Sequence, residues 1–539
     1  MRSSSLVFVG AVALSIFASL AWCVPTRLAA ADAAHPVVPG FERWTGDAAS
    51  GGRLLLGELN CTSCHTPPGQ ASVAKKQAPI LDAVASRVHP EFIREFLANP
   101  HSVKPGTTMP DLFAGVPEAD KSRQIDAITH YLALTGTLGY AASNGQWAKK
   151  GEQLFHQVGC VACHDPRSAG STPIPGSVPL GPLDKKYSIP SLRNFLSDPL
   201  AVRPSGRMPS LNLTQDEARD IASYLLGAQT MPANLNFSYY EGTWDKLPDF
   251  SQLKPKSTGK SSGFDLRVGR SDNFAMRFTG FLHVAKDGEY RFHLGSDDGS
   301  RLLVDGKQVV IMDGVHPPSW GNGAVKLTAG VHEVVVEFFE AGGGEELYVD
   351  YEGAGVARQS IEFALTLTKD PPQDAGGRKA FTVNPTLAEQ GKKLFVEVGC
   401  AKCHQLGPQA PASQTELLAP PELARLKSSG GCLEAAPRRG VPNFGLSAAQ
   451  RTALSAALEQ QRGGAAAKAP TADESIQATM VQFNCIACHQ RGMLGGVPEA
   501  RSKFFVSNQP EMGDEGRIPP ALAGAGAKLK AEWLKHLLD

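Results

Sequence analysis

The sequence predicts a multidomain protein in which all-α domains flank an all-β sandwich, and three observations lead there. At roughly 100 to 200 residues per domain, 539 residues hold about three to five domains. One short pattern, C-x-x-C-H, occurs four times, and the copies are preceded by apolar residues at helical spacing. Between the second and third copies the spacing changes to strict alternation with Gly-rich turns, the signature of half-buried strands. Apolar residues make up 42% and charged residues 20%, enough to fill several small cores and too apolar for a wholly disordered chain. Lys plus Arg equals Asp plus Glu at 53 each, so no global field exists to draw in nucleic acid or an anionic membrane.

Residues 1–34 read as an export signal. Arg2 is the one early charge, an uncharged apolar run follows from Leu6 to Val24, and the small residues Ala29, Ala30 and Ala31 come next. We expect cleavage there. The run is also long enough to cross a bilayer, so an uncleaved anchor is the alternative and the one route to membrane contact. Cys23 is not read as a lipid-attachment site, because the bulky Trp22 precedes it. No second apolar stretch of this length follows, and the expected location is periplasmic or secreted.

The four copies are Cys61-Thr-Ser-Cys64-His65, Cys160-Val-Ala-Cys163-His164, Cys400-Ala-Lys-Cys403-His404 and Cys485-Ile-Ala-Cys488-His489. Composition alone would give about 0.005 matches. In this pattern two thiols are spaced to form thioethers with the vinyl groups of a haem, and the histidine is placed to bind its iron. Four covalently bound haem c groups are therefore expected. A zinc site would combine C-x-x-C pairs without an obligatory neighbouring His, and a thioredoxin-like site would show one C-x-x-C in an α/β pattern.

The surroundings repeat. Nine residues before its first Cys the second motif has Gly151, then Leu154, Phe155 and Gly159, and the third has Gly391, Leu394, Phe395 and Gly399 at the same offsets. The first motif matches loosely with Gly52, Leu55 and Leu56. These describe one unit with an amphipathic helix leading into each motif. Met109-Pro110 follows His65 by 44 residues and Met208-Pro209 follows His164 by the same interval, which makes Met109 and Met208 the expected sixth iron ligands.

On these residues, 45–140 and 148–228 resemble small class I cytochrome c domains, which implies three to five helices wrapped around one haem. Met plus His ligation leaves no open position on the iron and suits electron transfer. The third unit, 380–462, departs from the pattern, because it has no Met and Val441-Pro442 stands where Met-Pro is expected. Its haem is expected to have an open or water-bound face, or else to recruit Cys432, with Lys427 a weaker candidate. The fourth unit, 472–539, reaches a segment from Trp533 to Asp539 that aligns with Leu192 to Asp198, and it is read as C-terminally incomplete. Met493 and Met512 lack a following Pro and are not read as ligands.

The middle segment alternates at Tyr290, Phe292 and Leu294, at Leu302 and Val304, at Val334, Val336 and Phe338, and at Leu347, Val349 and Tyr351. Asp305-Gly306 reads as a two-residue hairpin turn. With the run Gly288 to Gly306 and the strand Gly330 to Glu340, residues 232–367 resemble a PA14 domain. That resemblance implies carbohydrate or surface-partner binding, and for the adjacent Asp297 and Asp298 it implies a Ca²⁺ site. The alternative for the pair is a turn in which Asp bonds neighbouring amides. Pro/Gly-rich joints at 140–145, 369–377 and 463–470 separate the units.

The whole is similar to large secreted cytochromes of planctomycete type. The function expected from the motifs is electron transfer to or from a redox partner protein, with a polysaccharide or glycan as the partner of the β module. Two alternatives remain: a peroxidase-like oxidoreductase using an open third haem, and a glycan-binding adhesion protein with accessory haem domains.

Overall fold

The computed structural model describes residues 35–41, 44, 46–66, 76–136, 138–139, 141, 145–168, 170–227, 233–370, 381–404, 406, 420–436, 438–462 and 471–538. The expected export signal and the joints at 371–377 and 463–470 lie outside them. Ten helices of eight residues or more are described: α1 (Ala48–Glu58), α2 (Pro90–Ala98), α3 (Glu118–Leu132), α4 (Gly145–Gln157), α5 (Ile189–Ser197), α6 (Gln215–Leu226), α7 (Pro385–Glu397), α8 (Ala448–Arg462), α9 (Ala472–Gln482) and α10 (Ala531–Leu538). None of the described helices is long and apolar enough to cross a membrane.

Local chemistry sets their starts. Thr214 and Glu217 form a capping box at α6, and Thr471 and Glu474 form one at α9. Asn384 accepts from the amides of Thr386 and Leu387 ahead of α7, whose first residue is Pro385.

The helices meet in three crossed pairs, each joining a motif's leading helix to a closing helix. α4 packs on α6, α7 on α3, and α1 on α8. At each crossing the backbones touch at the glycine nine residues before the first Cys. A Cβ on Gly151 would stand 1.9 Å from the Asp220 carbonyl oxygen, one on Gly391 2.0 Å from that of Ala127, and one on Gly52 2.0 Å from that of Ala453. A side chain there would force the helices apart. The fourth leading helix, α9, carries Ile476 at this position, and Ile476 is exposed.

This pairing corrects the expected domains 45–140 and 380–462. The first motif's helix is closed by α8, and the third motif's helix is closed by α3, so the two units exchange their closing halves. Leu55, Leu56 and Leu59 share a core with Leu423, Leu446, Leu454 and Leu458. Phe92, Ile125 and Ile128 share one with Phe395, Cys400 and Leu406. The exchanged halves touch where Asp111 and Asn443 trade backbone hydrogen bonds of 2.8 and 3.0 Å. The second unit keeps its own halves together, with Phe155, Leu192, Ile221 and Leu225 in one core.

The inserted module is a two-sheet sandwich of eleven strands. β1 (Leu235–Glu241), β2 (Ser257–Ser261), β3 (Phe274–Val284), β4 (Gly288–Ser296), β5 (Ser300–Val304), β6 (Lys307–Met312), β7 (Ser319–Leu327), β8 (Gly330–Glu340), β9 (Leu347–Gly353), β10 (Val356–Ser360) and β11 (Leu365–Thr366) follow in order. One sheet runs β2-β1-β3-β8-β5-β6 with β11 added on β3, and the other runs β10-β9-β4-β7. Every partner pair is antiparallel. The inward residues Tyr290, Phe292, Leu294, Leu302, Val336, Phe338 and Val349 fill the space between the sheets. Asp305 and Gly306 take φ of +49° and +73°, as a hairpin turn of this twist requires. The module touches the second helical unit at Trp147, whose indole lies between the guanidiniums of Arg219 (4.0 Å) and Arg267 (4.5 Å).

Glu362 is sealed under this sandwich, where its carboxylate accepts from the Phe264 amide at 3.0 Å. Burial pushes its pKa up to about 8 from an ordinary 4.5. The folded state therefore keeps a proton that the unfolded chain releases. Its contribution is fully present below pH 4.5 and is lost as pH rises towards 8. Glu362→Gln is expected to flatten the fall in the module's melting temperature between those limits. Melts at pH 5, 6.5 and 8 check this, and an unchanged slope would exclude Glu362 as its source.

Candidate haem sites

The four motifs form one turn four times over. Each first Cys opens a short 3-10 helix, and its carbonyl accepts from the amides of the second Cys, at 3.2 Å, and of the His, at 2.8 to 3.0 Å. The residue before each first Cys is in the left-handed region: Asn60 (+55°), Gly159 (+106°), Gly399 (+99°) and Asn484 (+60°). This places the two cysteines and the histidine of each motif on one tight turn, and no two described cysteines are bonded to each other.

Each imidazole is held the same way. Nδ1 of His65 lies 2.8 Å from the Pro421 carbonyl, that of His164 2.8 Å from Val178, that of His404 2.9 Å from Pro79 and that of His489 2.8 Å from Pro520. A carbonyl only accepts, so Nδ1 carries the proton and donates, which leaves the Nε2 lone pair free for a metal. The carbonyls for His65 and His404 come across the exchange.

The first thiols of three motifs are not activated as thiolates. Burial pushes Cys61, Cys160 and Cys400 up to about 12, whereas a reactive C-x-x-C lowers its thiol pKa. Two cysteines on one turn, an oriented imidazole and the apolar core beside Cys61, Cys160 and Cys400 fit a covalently attached haem. When bound, that group supplies a one-electron couple at the iron.

Met208 lies against the core that holds Cys160 and Val161. Met109, however, lies against the core of Phe395, Cys400 and Leu406 and thus belongs with His404, not with His65. The segment with Val441 and Cys432 belongs with the first motif. Leu426, Leu433 and Phe444 pack there beside Cys61, and Cys432 lies within electrostatic reach of Cys61 and Cys64. The expectation that Cys432 serves the third haem is therefore corrected, because its segment closes over the first. Lys427 lies on that same segment. Met493 is exposed, and Met512 is half-exposed.

Two arginines absent from the sequence reading tie these sites together. Arg207, next to Met208, pairs with the buried Glu58 and donates from Nε to the Gln482 carbonyl at 3.2 Å. Lys76 Nζ lies 2.7 Å from the same Glu58 oxygen, Oε2. Glu58 and Gln482 each lie three residues before a first Cys, so one guanidinium joins the first, second and fourth units. Arg501, 3% exposed, extends from the fourth unit into the second motif and donates to the carbonyls of Val161 and His164 and to Ser177 Oγ.

Residues 148–229 match the cytochrome c family, and residues 268–364 match the PA14 domain family. The chain carries a cytochrome c domain and a PA14 domain. The cytochrome c domain implies covalent haem c. Among solved structures, the PA14 domain of the MpAFP antifreeze protein is 14% identical, with a TM-score of 0.23, over 27% of this chain and 98% of its own. The PA14 sugar-binding domain from an RTX adhesin is 19% identical, with a TM-score of 0.22, over 25% and 99%. The epithelial adhesin 9 A domain from Candida glabrata is 10% identical, with a TM-score of 0.20, over 26% and 92%. A comparison with curated protein sequences finds no match.

In the PA14 domain one member of the expected calcium pair, Asp298, has a structural role. Asp298, buried at φ +63°, accepts from the amides of His316 (3.1 Å) and Ala341 (2.8 Å) through its two carboxylate oxygens. It therefore fixes the loop as a turn aspartate does. Burial, with the nearby Asp298 and Asp297, raises Glu340 beside it to about 8. Among the described residues no three His, Cys, Asp or Glu side chains converge on a metal position. Of the two roles expected for this pair, Asp298 fills that of the turn aspartate.

Proposed function

We propose that this chain is an exported four-haem c-type cytochrome that passes electrons to and from a redox partner protein, with its PA14 domain holding it to a carbohydrate or another surface partner. The fourfold repetition of the Cys-Cys-His turn, with every imidazole aimed by a carbonyl, carries the reading. The sugar part rests on the PA14 domain and the carbohydrate binding that its family implies. Cys61 and Cys64, Cys160 and Cys163, Cys400 and Cys403, and Cys485 and Cys488 hold the four groups, and His65, His164, His404 and His489 bind the irons. Met208 completes the second site and Met109 the third. A pyridine haemochrome count with mass spectrometry on exported protein tests this, with four covalent haems expected. Colourless protein with free thiols would end it.

The peroxidase-like reading keeps one supporting observation, that the first motif's closing segment offers Val441 where those of the second and third offer Met. Carbon monoxide separates the assignments. In a Cys61→Ala/Cys64→Ala background, Met109→Ala is expected to add about one equivalent of bound CO to the reduced protein, at the His404 haem. No gain there would return Met109 to His65. A peroxidase assay on the unaltered protein decides whether the open first site does chemistry.

A further inference from the structure

The four attachment turns are not spaced evenly through the molecule. Nδ2 of Asn484, just before the fourth motif, donates to Sγ of Cys163, the second Cys of the second motif, at 3.2 Å. Nδ2 of Asn60, just before the first motif, reaches Sγ of Cys403, the second Cys of the third motif, at a longer 3.9 Å. In both cases the second cysteines of the two motifs are neighbours, with Cys163 within electrostatic reach of Cys488 and Cys403 of Cys64. Each thiol sulfur here stands for the thioether sulfur of the loaded protein.

The two contacts are copies of one arrangement. In each pair one member carries Asn before its motif and the other carries Gly, and all four residues share the left-handed backbone. Asparagine is the side chain that tolerates this conformation while still offering an amide. Each pair is also clamped from outside. The first and third units exchange their closing helices, and the fourth unit inserts Arg501 into the second motif and lays Phe504 on its core.

We infer that the chain holds its four haem sites as two back-to-back pairs, first with third and second with fourth, and that Asn60 and Asn484 are positioning residues that act on the partner's haem, not their own. This rests on the cytochrome reading above. The wiring order is then not the sequence order, since electrons exchange fastest within pairs and cross between them near Arg207. An N–H aimed at a thioether sulfur places positive charge beside the haem and favours its reduced form. Its removal lowers that haem's potential.

Asn→Gly at either position keeps the backbone conformation, as Gly159 and Gly399 already show. The test uses full-length haem-loaded protein. A haemochrome count of four in the unaltered chain secures the cytochrome reading, and a lower count would overturn that reading, not the pairing. Potentials are read by spectroelectrochemistry from the sulfur–iron charge-transfer band of the one Met-ligated haem left in each background. With Met109→Ala, Asn484→Gly is expected to lower the potential of the Met208 haem, and Asn60→Gly to leave it in place. With Met208→Ala the roles reverse at the Met109 haem. Potentials that stay in place, or that respond to the wrong asparagine, would overturn the pairing.

Discussion

Gly391→Ala is expected to unseat α7 from α3 and to loosen residues 118–132, more than 250 positions earlier in the chain. The added Cβ would stand 2.0 Å from the Ala127 carbonyl oxygen and 2.9 Å from the Ile128 nitrogen. Both are backbone atoms of a helix, so no rotamer change relieves the clash, and the crossing has to open. Overpacking of this kind costs about 1 to 3 kcal/mol, and the upper end applies where only backbone can move. Hydrogen exchange gives the readout. In Gly391→Ala, protection should fall in α3 while α8 keeps its own. In Gly52→Ala it should fall in α8, because that Cβ meets Ala453. If Gly391→Ala instead exposed α8, the units would be closed in sequence order and the exchange would be wrong.

Arg501→Ala should detach the fourth unit from the second. The guanidinium is buried and bonds the carbonyl of His164 at 2.9 Å and Ser177 Oγ at 2.6 Å, besides the Val161 carbonyl. Its removal leaves two buried acceptors at the motif unpaired, for roughly 2 to 4 kcal/mol. Arg501→Lys keeps the charge but not the fork, and it should fall between. Limited proteolysis within residues 471–538, with the loss of the fourth motif's peptide from the core, measures the effect. Equal resistance in all three proteins would show that Arg501 does not hold the joint.

The parts written in the sequence are those whose signal is local. C-x-x-C-H needs five residues, and its chemistry is complete within them. Alternation at Tyr290, Phe292 and Leu294 needs one strand. Gly151 and Gly391 were visible as repeats, though not as crossing points. The exchange of closing halves was not legible. α3, α6 and α8 offer similar apolar faces, and the choice between them is made by contacts hundreds of residues apart. The equal 44-residue interval from His65 to Met109 and from His164 to Met208 pointed to closed units, and it misled for the first of them. Cys432 was misplaced by the same assumption. Asn60 and Asn484 left a faint signal, asparagine where the sister motifs carry glycine, and this reads as a left-handed position only once the turn is known. Arg207 and Arg501 left none, since a single arginine outside any motif looks like surface.

The exchange between α1 and α8 also sets an order of assembly. The first haem turn is among the earliest parts of the chain to emerge during synthesis, yet the helix that covers it ends at Arg462. Until α8 has been made, Cys61 and Cys64 have no lid, and they stay open to whatever would join haem to them until nearly the whole polypeptide has arrived. Contacts of such separation form slowly. Once made, they act as a clasp: the early and late segments hold each other around the second unit and the sandwich. A single cut in a joint between them would leave the severed pieces bound together.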